Sequence, residues 1–372
     1  MAIVDDPEVD LGALAGHFGH WLRRQPGHSR SAVSHLRQAS QANGFSNETY
    51  RVTVTRPDRA DAELILRLPP ARTGLFPGYD IPRQYAFMQR LQREPGLRLA
   101  PCRWLERDPS VLGRPFFVTD FVAGDVAGDQ PNYLREGFIV EAGADQRRRL
   151  WDTSFEQLEH LARVRWEGAA LDSVDWPHRG TPRFLQHVQM WTELGAWGRR
   201  QLPDDGADPL LAELERWLTE HRPHDEVPGI VWGDARFGNI ICRDFEPVAL
   251  LDWELAVVGD PMADLAYMLF HVFLTQIVHG DADTPRRMAG FRGDAETVAR
   301  WCDALQRSAD PYRAYWLFNA YKMLCIWQCK AALMVRAGTW SVEQGLEARR
   351  GLALRPFIGA VMEGGPQAAF LR

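Results

Sequence analysis

Between Gly229 and Met268 the chain reads GIVWGDARFGNIICRDFEPVALLDWELAVVGDPMADLAYM, and its carboxylates and amides are spaced for chemistry. A short apolar strand over 229–232 delivers Asp234 into a loop containing Gly233 and Gly238. The run NIIC, the turn RDFEP and the run VALLDW predict a two-stranded hairpin. That hairpin brings Asn239, at the start of one arm, beside Asp252, at the end of the other, with Glu254 two residues on. Two or three oxygen ligands at one spot suit Mg²⁺, which takes few protein ligands and completes its shell with phosphate oxygens. The Asp234 carboxylate can accept a proton from an attacking hydroxyl. Singly, each of these is an ordinary turn residue. Together, at this spacing, they read as the parts of a phosphoryl-transfer site.

The string Trp232-Gly233-Asp234, Asn239 and Leu251-Asp252-Trp253-Glu254 resembles the catalytic segment of the aminoglycoside phosphotransferase family, which shares the protein-kinase-like fold. The family pattern is His-Gly-Asp, four residues, Asn, and later an Asp in an Ile/Leu-Asp-Trp/Phe-Glu/Gly context. Trp232 departs from it, standing where the family usually has a histidine that shapes the loop. The resemblance implies that Asp234 is the catalytic base or hydroxyl-orienting carboxylate. It implies that Asn239 and Asp252 hold Mg²⁺ against the phosphates of ATP or GTP. Gly259-Asp260-Pro261-Met262-Ala263-Asp264 matches the family too. Asp260 followed by Pro261 has the chemistry of a helix start, and the family analogy makes Asp264 a buried brace for the catalytic loop. Trp232, Glu254 and Asp264 are structural support in this reading.

Such a site needs a smaller lobe to cover the nucleotide. Residues 10–24 predict a helix with Leu11, Leu14, Phe18 and Leu22 on one stripe. From Val33 to Leu66 the pattern is of strands: VSHLRQAS, then ETYRVTVT, then AELILRL, with turns between. Between the first two lies Asn43-Gly44-Phe45-Ser46-Asn47, which resembles the Gly-x-Ser-Asn loop of the family. Its backbone N–H groups and the Ser46 hydroxyl could meet phosphate oxygens. In LILRLPP, Leu64, Leu66 and Leu68 share one face while Glu63, Ile65 and Arg67 share the other. That turns Arg67 toward the interlobe cleft, where the resemblance implies a phosphate-binding cation rather than a surface arginine. An arginine followed by proline here resembles the branch with kinase domains fused to acyl-CoA dehydrogenases. A helix follows from about Pro82 to Arg93. The family's Arg-Glu-Tyr at its start appears as Arg83-Gln84-Tyr85, so Gln84 offers Arg67 a hydrogen bond instead of an ion pair. The buried strand PFFVTDFV ends at Gly124, and backbone groups from Asp120 to Val122 are expected to meet the purine edge. The remainder reads as helical and tryptophan-rich, with one hairpin near 240–252.

The expected fold class is therefore α+β: a protein-kinase-like bilobal molecule with a small antiparallel sheet and a larger, mainly helical lobe. The division falls at 1–122, the nucleotide-binding lobe with residues 1–30 as an added helix, and 123–372, the helical lobe with the catalytic loop and acceptor site.

Composition narrows the function further. The chain has 372 residues, long enough for two lobes, with ordinary hydrophobic and charged fractions that exclude a disordered or fibrous protein. Its net charge of −6 gives no footprint for nucleic acid. The 43 basic residues include only two lysines, Lys322 and Lys330, so no Walker lysine exists before position 322. Cysteines at 102, 242, 302, 325 and 329 lack a C-x-x-C pair and read as buried thiols in a reducing compartment. His17 and His20 read as a helix face rather than a metal site. The start MAIVDDPEVD has no signal-peptide pattern, and the apolar stretch 262–278 contains Asp264 and His271, so no membrane partner and a cytoplasmic location are expected.

The resemblance implies that the acceptor is a small hydroxylated molecule. Polycationic aminoglycosides would use acids such as Glu156, Glu159, Asp172 and Asp175. An apolar or cationic acceptor, including a hydroxyacyl-CoA, would use tryptophans among Trp151, Trp166, Trp176, Trp191 and Trp197. Gln84 and the missing lysine also keep open a catalytically silent nucleotide-binding or scaffold protein.

Overall fold

The computed structural model describes residues 10–39, 47–71, 74–129, 131–166, 183–203, 206, 208–279 and 287–364. It opens on helix α1 (Leu11–Leu22), where Asp10 accepts the Ala13 amide at 2.9 Å and so satisfies one of the free N-terminal donors. Five strands follow: β1 (Ala32–Gln38), β2 (Glu48–Thr55), β3 (Ala62–Leu68), β4 (Cys102–Glu106) and β5 (Phe116–Asp120). They form one antiparallel sheet in the order β1-β2-β3-β5-β4. Helix α2 (Ile81–Leu91) connects β3 to β4, capped by the Asp80 carboxylate on the Arg83 amide at 2.9 Å.

The alternation in β3 sorts the two faces of this sheet. Leu64, Leu66 and Leu68 are buried with Val52, Val54, Phe116 and Val118 against Phe18, Trp21 and Leu22 of α1. Trp21 meets Phe116 edge-on at 4.8 Å and donates its indole N–H to Glu106 at 2.8 Å. Ile65 and Arg67 consequently turn to the other face. The α1 stripe begins later than the sequence suggests, since Leu11 is 39% exposed. His17 and His20 are exposed, and no cluster of metal-ligating side chains occurs among the described residues.

The rest of the chain is mainly helical. It contains β6 (Asp125–Val126), α3 (Phe138–Glu141), α4 (Ala144–Ala162), α5 (Arg183–Arg199) and α6 (Pro209–Glu220). Then come β7 (Gly229–Val231), the hairpin β8 (Ile240–Arg243) and β9 (Glu246–Leu250), and β10 (Val257–Gly259). Five helices close it: α7 (Met262–His279), α8 (Asp294–Leu305), α9 (Tyr312–Arg336), α10 (Val342–Ala348) and α11 (Arg355–Glu363). Three features differ from the sequence expectation. Strand β4 carries Arg103 and Glu106 and a register shift, which hide its alternation. The hairpin gains β6 as a third strand, and β7 pairs with β10 in a buried two-stranded element too short to show a period.

Helix α9 is 25 residues long and buried on most sides, which is why its apolar positions follow no single stripe. Helix α5 approaches it through glycines: a Cβ at Gly198 would lie 2.6 Å from the Cys329 nitrogen, and one at Gly195 2.9 Å from the Cys325 sulfur. Both cysteines are buried at this crossing, and all five are free thiols. Among the described residues no helix is long and apolar enough to cross a membrane.

Candidate active site

The hairpin carries out the expected convergence through one backbone bond. Leu251 donates its amide to the Asn239 carbonyl at 2.8 Å, extending the β8–β9 ladder and setting Asp252 beside Asn239. A 3₁₀ turn over Phe237–Asn239 aims the Asn239 side chain back at Asp234. Its Nδ2 donates to the Asp234 carboxylate at 2.5 Å and to the Asp234 carbonyl at 3.0 Å. With both amide protons so engaged, Oδ1 is the atom left for a cation. Asp252 adopts a left-handed backbone, φ 57°, a conformation that costs an L residue strain and recurs at functional positions.

Arg67 reaches across from the sheet and pairs with Asp252 at 2.9 Å, both side chains less than one-fifth exposed. Arg67, Asn239 and Asp252 line one cleft of about 450 Å³ together with Asn47, Asp120 and Val122. Its deeper wall is apolar, including Ile65, Met88 and Phe117. Asp120 forms a two-pronged pair with Arg103 at 2.6 Å, and its amide is used by the Pro101 carbonyl. Asn47 donates to Glu254 at 2.6 Å, tying the start of β2 to the segment after Asp252. Gly44, Phe45 and Ser46 of the proposed phosphate loop lie outside the described residues.

Gln84 is placed differently from the expectation. It lines a second cavity, of about 720 Å³, and its buried Nε2 has no hydrogen-bond partner among the described residues. Arg67 takes Asp252 as its partner instead. This second cavity lies on the other side of the Asp252–Leu255 segment, bounded by Tyr79, Trp197, Glu193 and Glu254. Of the tryptophans considered above that lie among the described residues, Trp151 and Trp191 are core, Trp166 packs under Arg183, and Trp197 reaches this cavity. Glu156 and Glu159 border a separate surface recess between α4 and α8. Asp172, Asp175 and Trp176 lie outside the described residues.

The loop that presents Asp234 is held from several sides. Asp264, at the start of α7, accepts the Trp232 and Gly233 amides at 2.5 and 2.9 Å. Gly233 has φ 86°, and a Cβ there would strike the Leu255 carbonyl, so only glycine fits. Trp232 is fully buried, donates its indole N–H to the Leu251 carbonyl at 2.8 Å and stacks on Trp253 at 5.5 Å. That bond joins the loop bearing Asp234 directly to the strand end bearing Asp252.

Arg236, Asp129, Lys322, Tyr267 and His271 also surround Asp234, and the sequence reading did not select them. Arg236 pairs with Asp129 at 2.7 Å and with Asp234 at 3.3 Å. Burial alone would raise the Asp234 pKa, but the Arg236 and Lys322 cations outweigh it and hold the carboxyl below its ordinary range. Burial lowers Lys322, against the pull of Asp234 and Asp264, and burial raises Asp264 despite its two backbone donors. His271 is pushed down to about 4 by burial and by Arg236. Arg236 was within reach of sequence reasoning, two residues after Asp234. Lys322 carried a compositional signal as one of two lysines, but no local motif.

The sheet, the helical region and the cleft between them define the protein-kinase-like class of fold. A model described as "Phosphotransferase enzyme family" matches residues 38–309, most of the chain, and the protein belongs to that family. It is 26% identical over 329 residues to acyl-CoA dehydrogenase family member 10 of Mus musculus, covering 86% of this chain and 29% of that protein. It thus spans about a third of the length of the curated relatives it matches. A candidate aminoglycoside phosphotransferase from Ralstonia eutropha superposes with a TM-score of 0.68 at 22% identity, covering 94% of this chain and 97% of that one. A thermostable mutant of aminoglycoside phosphotransferase APH(4)-Ia, in ternary complex with AMP-PNP and hygromycin B, superposes with a TM-score of 0.54 at 14% identity, covering 95% and 99%.

Proposed function

We propose that this chain is a nucleotide-dependent O-phosphotransferase that moves the γ-phosphate of ATP or GTP to a hydroxyl of a small molecule. The observation that carries the reading is the meeting of Asn239, Asp252 and Arg67 at the 450 Å³ cleft, with Asp234 hydrogen-bonded to Asn239. The apolar wall of the cleft suits a purine, and Asp120 to Val122 would border its edge. The Asn239 amide oxygen and the Asp252 carboxylate are hard donors, a fit for Mg²⁺. Bound there, the cation would neutralise charge on the nucleotide phosphates. Arg67 would then exchange Asp252 for phosphate oxygens, which its planar fork can bind in pairs.

In the transfer itself, the acceptor oxygen forms a bond to the γ-phosphorus as the bond to the bridging oxygen of the nucleoside diphosphate breaks. The hydroxyl proton passes to Asp234. Asn239 orients that carboxylate, and Arg236 with Lys322 keeps it ionised and ready to accept. The 720 Å³ cavity beyond Glu254 would receive the acceptor. Residues 1–122 and 123–372 would be the nucleotide-binding and acceptor-binding lobes.

A narrower reading makes the acceptor a hydroxyacyl thioester. The similarity to acyl-CoA dehydrogenase family member 10 favours it, and so do the apolar walls of Phe76, Met190, Leu194 and Trp197 in the second cavity. Calorimetric titration with ATP and with GTP, each with and without Mg²⁺, tests the nucleotide half of the proposal. Binding of one of them is expected to depend on Mg²⁺, and Asp252→Ala is expected to weaken it at least tenfold. Failure of both nucleotides to bind would favour a scaffold in which the Arg67–Asp252 pair has closed the site.

A further inference from the structure

We infer that Lys322 is a positioning residue for phosphoryl transfer: from α9, its ammonium pins the Gly233 carbonyl and, with Asp264, fixes the peptide that aims Asp234. The inference rests on the function proposed above and adds to it a residue that carries no motif.

The geometry is a clamp on one peptide bond after another. The Gly233 amide donates to Asp264 at 2.9 Å, and the Gly233 carbonyl accepts a hydrogen bond from Lys322 Nζ. Both polar groups of the residue preceding Asp234 are therefore held by side chains from two different helices, α7 and α9. Gly233 has the left-handed backbone that turns the chain there, so these bonds fix the direction in which Asp234 leaves the turn. The lysine is 3% exposed, and its ammonium lies 3.8 Å from the Tyr267 ring centre and 5.4 Å from that of Trp191. An amine in such a place loses its hydration, and this is costly unless carboxylates and aromatic faces replace the water. A hydrogen bond to a carbonyl needs no charge. A fixed positive charge beside two carboxylates, in a chain whose other cations are nearly all arginine, serves the electrostatics of the loop as well as its shape.

Because the acceptor is unidentified, water serves as the acceptor in the test. The full chain is assayed for Mg²⁺-dependent release of phosphate from the nucleotide it binds, with nucleotide Kd and thermal melting measured in parallel. Lys322→Met keeps volume and removes charge. It is expected to fold, to bind Mg²⁺-nucleotide within threefold of wild type and to lose at least 100-fold in turnover. Lys322→Arg restores the charge and should recover at least tenfold over the Met variant. Turnover of Lys322→Met within threefold of wild type would overturn the inference. So would a loss matched by an equal loss of nucleotide affinity, which marks a merely structural role. If the Met variant does not fold, Lys322→Gln is compared with Lys322→Arg, and equal turnover of the two overturns it. A wild-type chain that binds no nucleotide would refute the proposed function instead, a separately readable outcome.

Discussion

Asp234 works in an unfavourable place for a charge, and its neighbours decide its state. Burial disfavours the carboxylate, yet the Arg236 and Lys322 cations supply enough positive potential to keep it ionised. The same crowding sets the state of His271. Its folded-state value, about 4, lies below its ordinary 6.5 because of burial and the nearby Arg236 guanidinium. A depressed histidine is neutral in the fold and takes up a proton on unfolding. Its contribution is therefore fully present above pH 6.5 and is lost as pH falls from 6.5 toward 4. At pH 5 the expected loss is about 2 kcal/mol. Chemical denaturation at pH 7.5 and pH 5 should show that loss, and His271→Asn should reduce it. An unchanged pH dependence in the variant would show that other groups govern acid stability. At the same scale, Trp232 shows how a departure from the family pattern is absorbed. Its indole N–H joins the Leu251 carbonyl, so it fastens the loop bearing Asp234 to the strand end bearing Asp252.

At the scale of elements, regular pattern is what made the chain legible. Helix α1, strands β2 and β3, helix α2 and the β8–β9 hairpin all have a clear period or clear turn chemistry, and each forms close to where that pattern places it. Strand β7 forms where the apolar run before Gly233 predicts it, but its partner β10 has three residues, all buried, so no alternation exists to read there. The meeting of Asp234, Asn239 and Asp252 was legible because one hairpin brings them together locally. The meeting of Lys322 with Gly233 was not, because it depends on how α9 packs across the helical region. That packing is itself testable. A Cβ at Gly198 would sit 2.6 Å from the Cys329 backbone nitrogen, where backbone cannot yield as a side-chain tip would. Gly198→Val should therefore push α5 from α9 and cost roughly 3 kcal/mol of stability, read by denaturant melting. A cost below about 0.5 kcal/mol, typical of a surface change, would contradict the close crossing.

At the scale of the whole molecule, Arg67 of β3 pairs with Asp252, and Asn47, just before β2, donates to Glu254, so the sheet is tied to the segment after β9. Arg67 and Asn47 both line the 450 Å³ cleft, while Glu254 borders the 720 Å³ cavity. In the proposed reading the nucleotide would enter on the Asp252 side and the acceptor on the Glu254 side, and the arrangement of the two cavities would set the line along which phosphate moves. Gln84 lines the 720 Å³ cavity, a placement that its proximity to Arg67 in the family pattern did not suggest.

The central claim is that Asp234 serves the transfer step rather than nucleotide binding. It is tested most directly by single-turnover transfer of labelled γ-phosphate, with nucleotide affinity measured alongside. Asp234→Asn should lower the transfer rate by about 10²–10⁴, the range for a positioned proton acceptor, with Kd for the Mg²⁺-nucleotide within threefold of wild type. A variant that transfers phosphate at a near-normal rate would contradict the account.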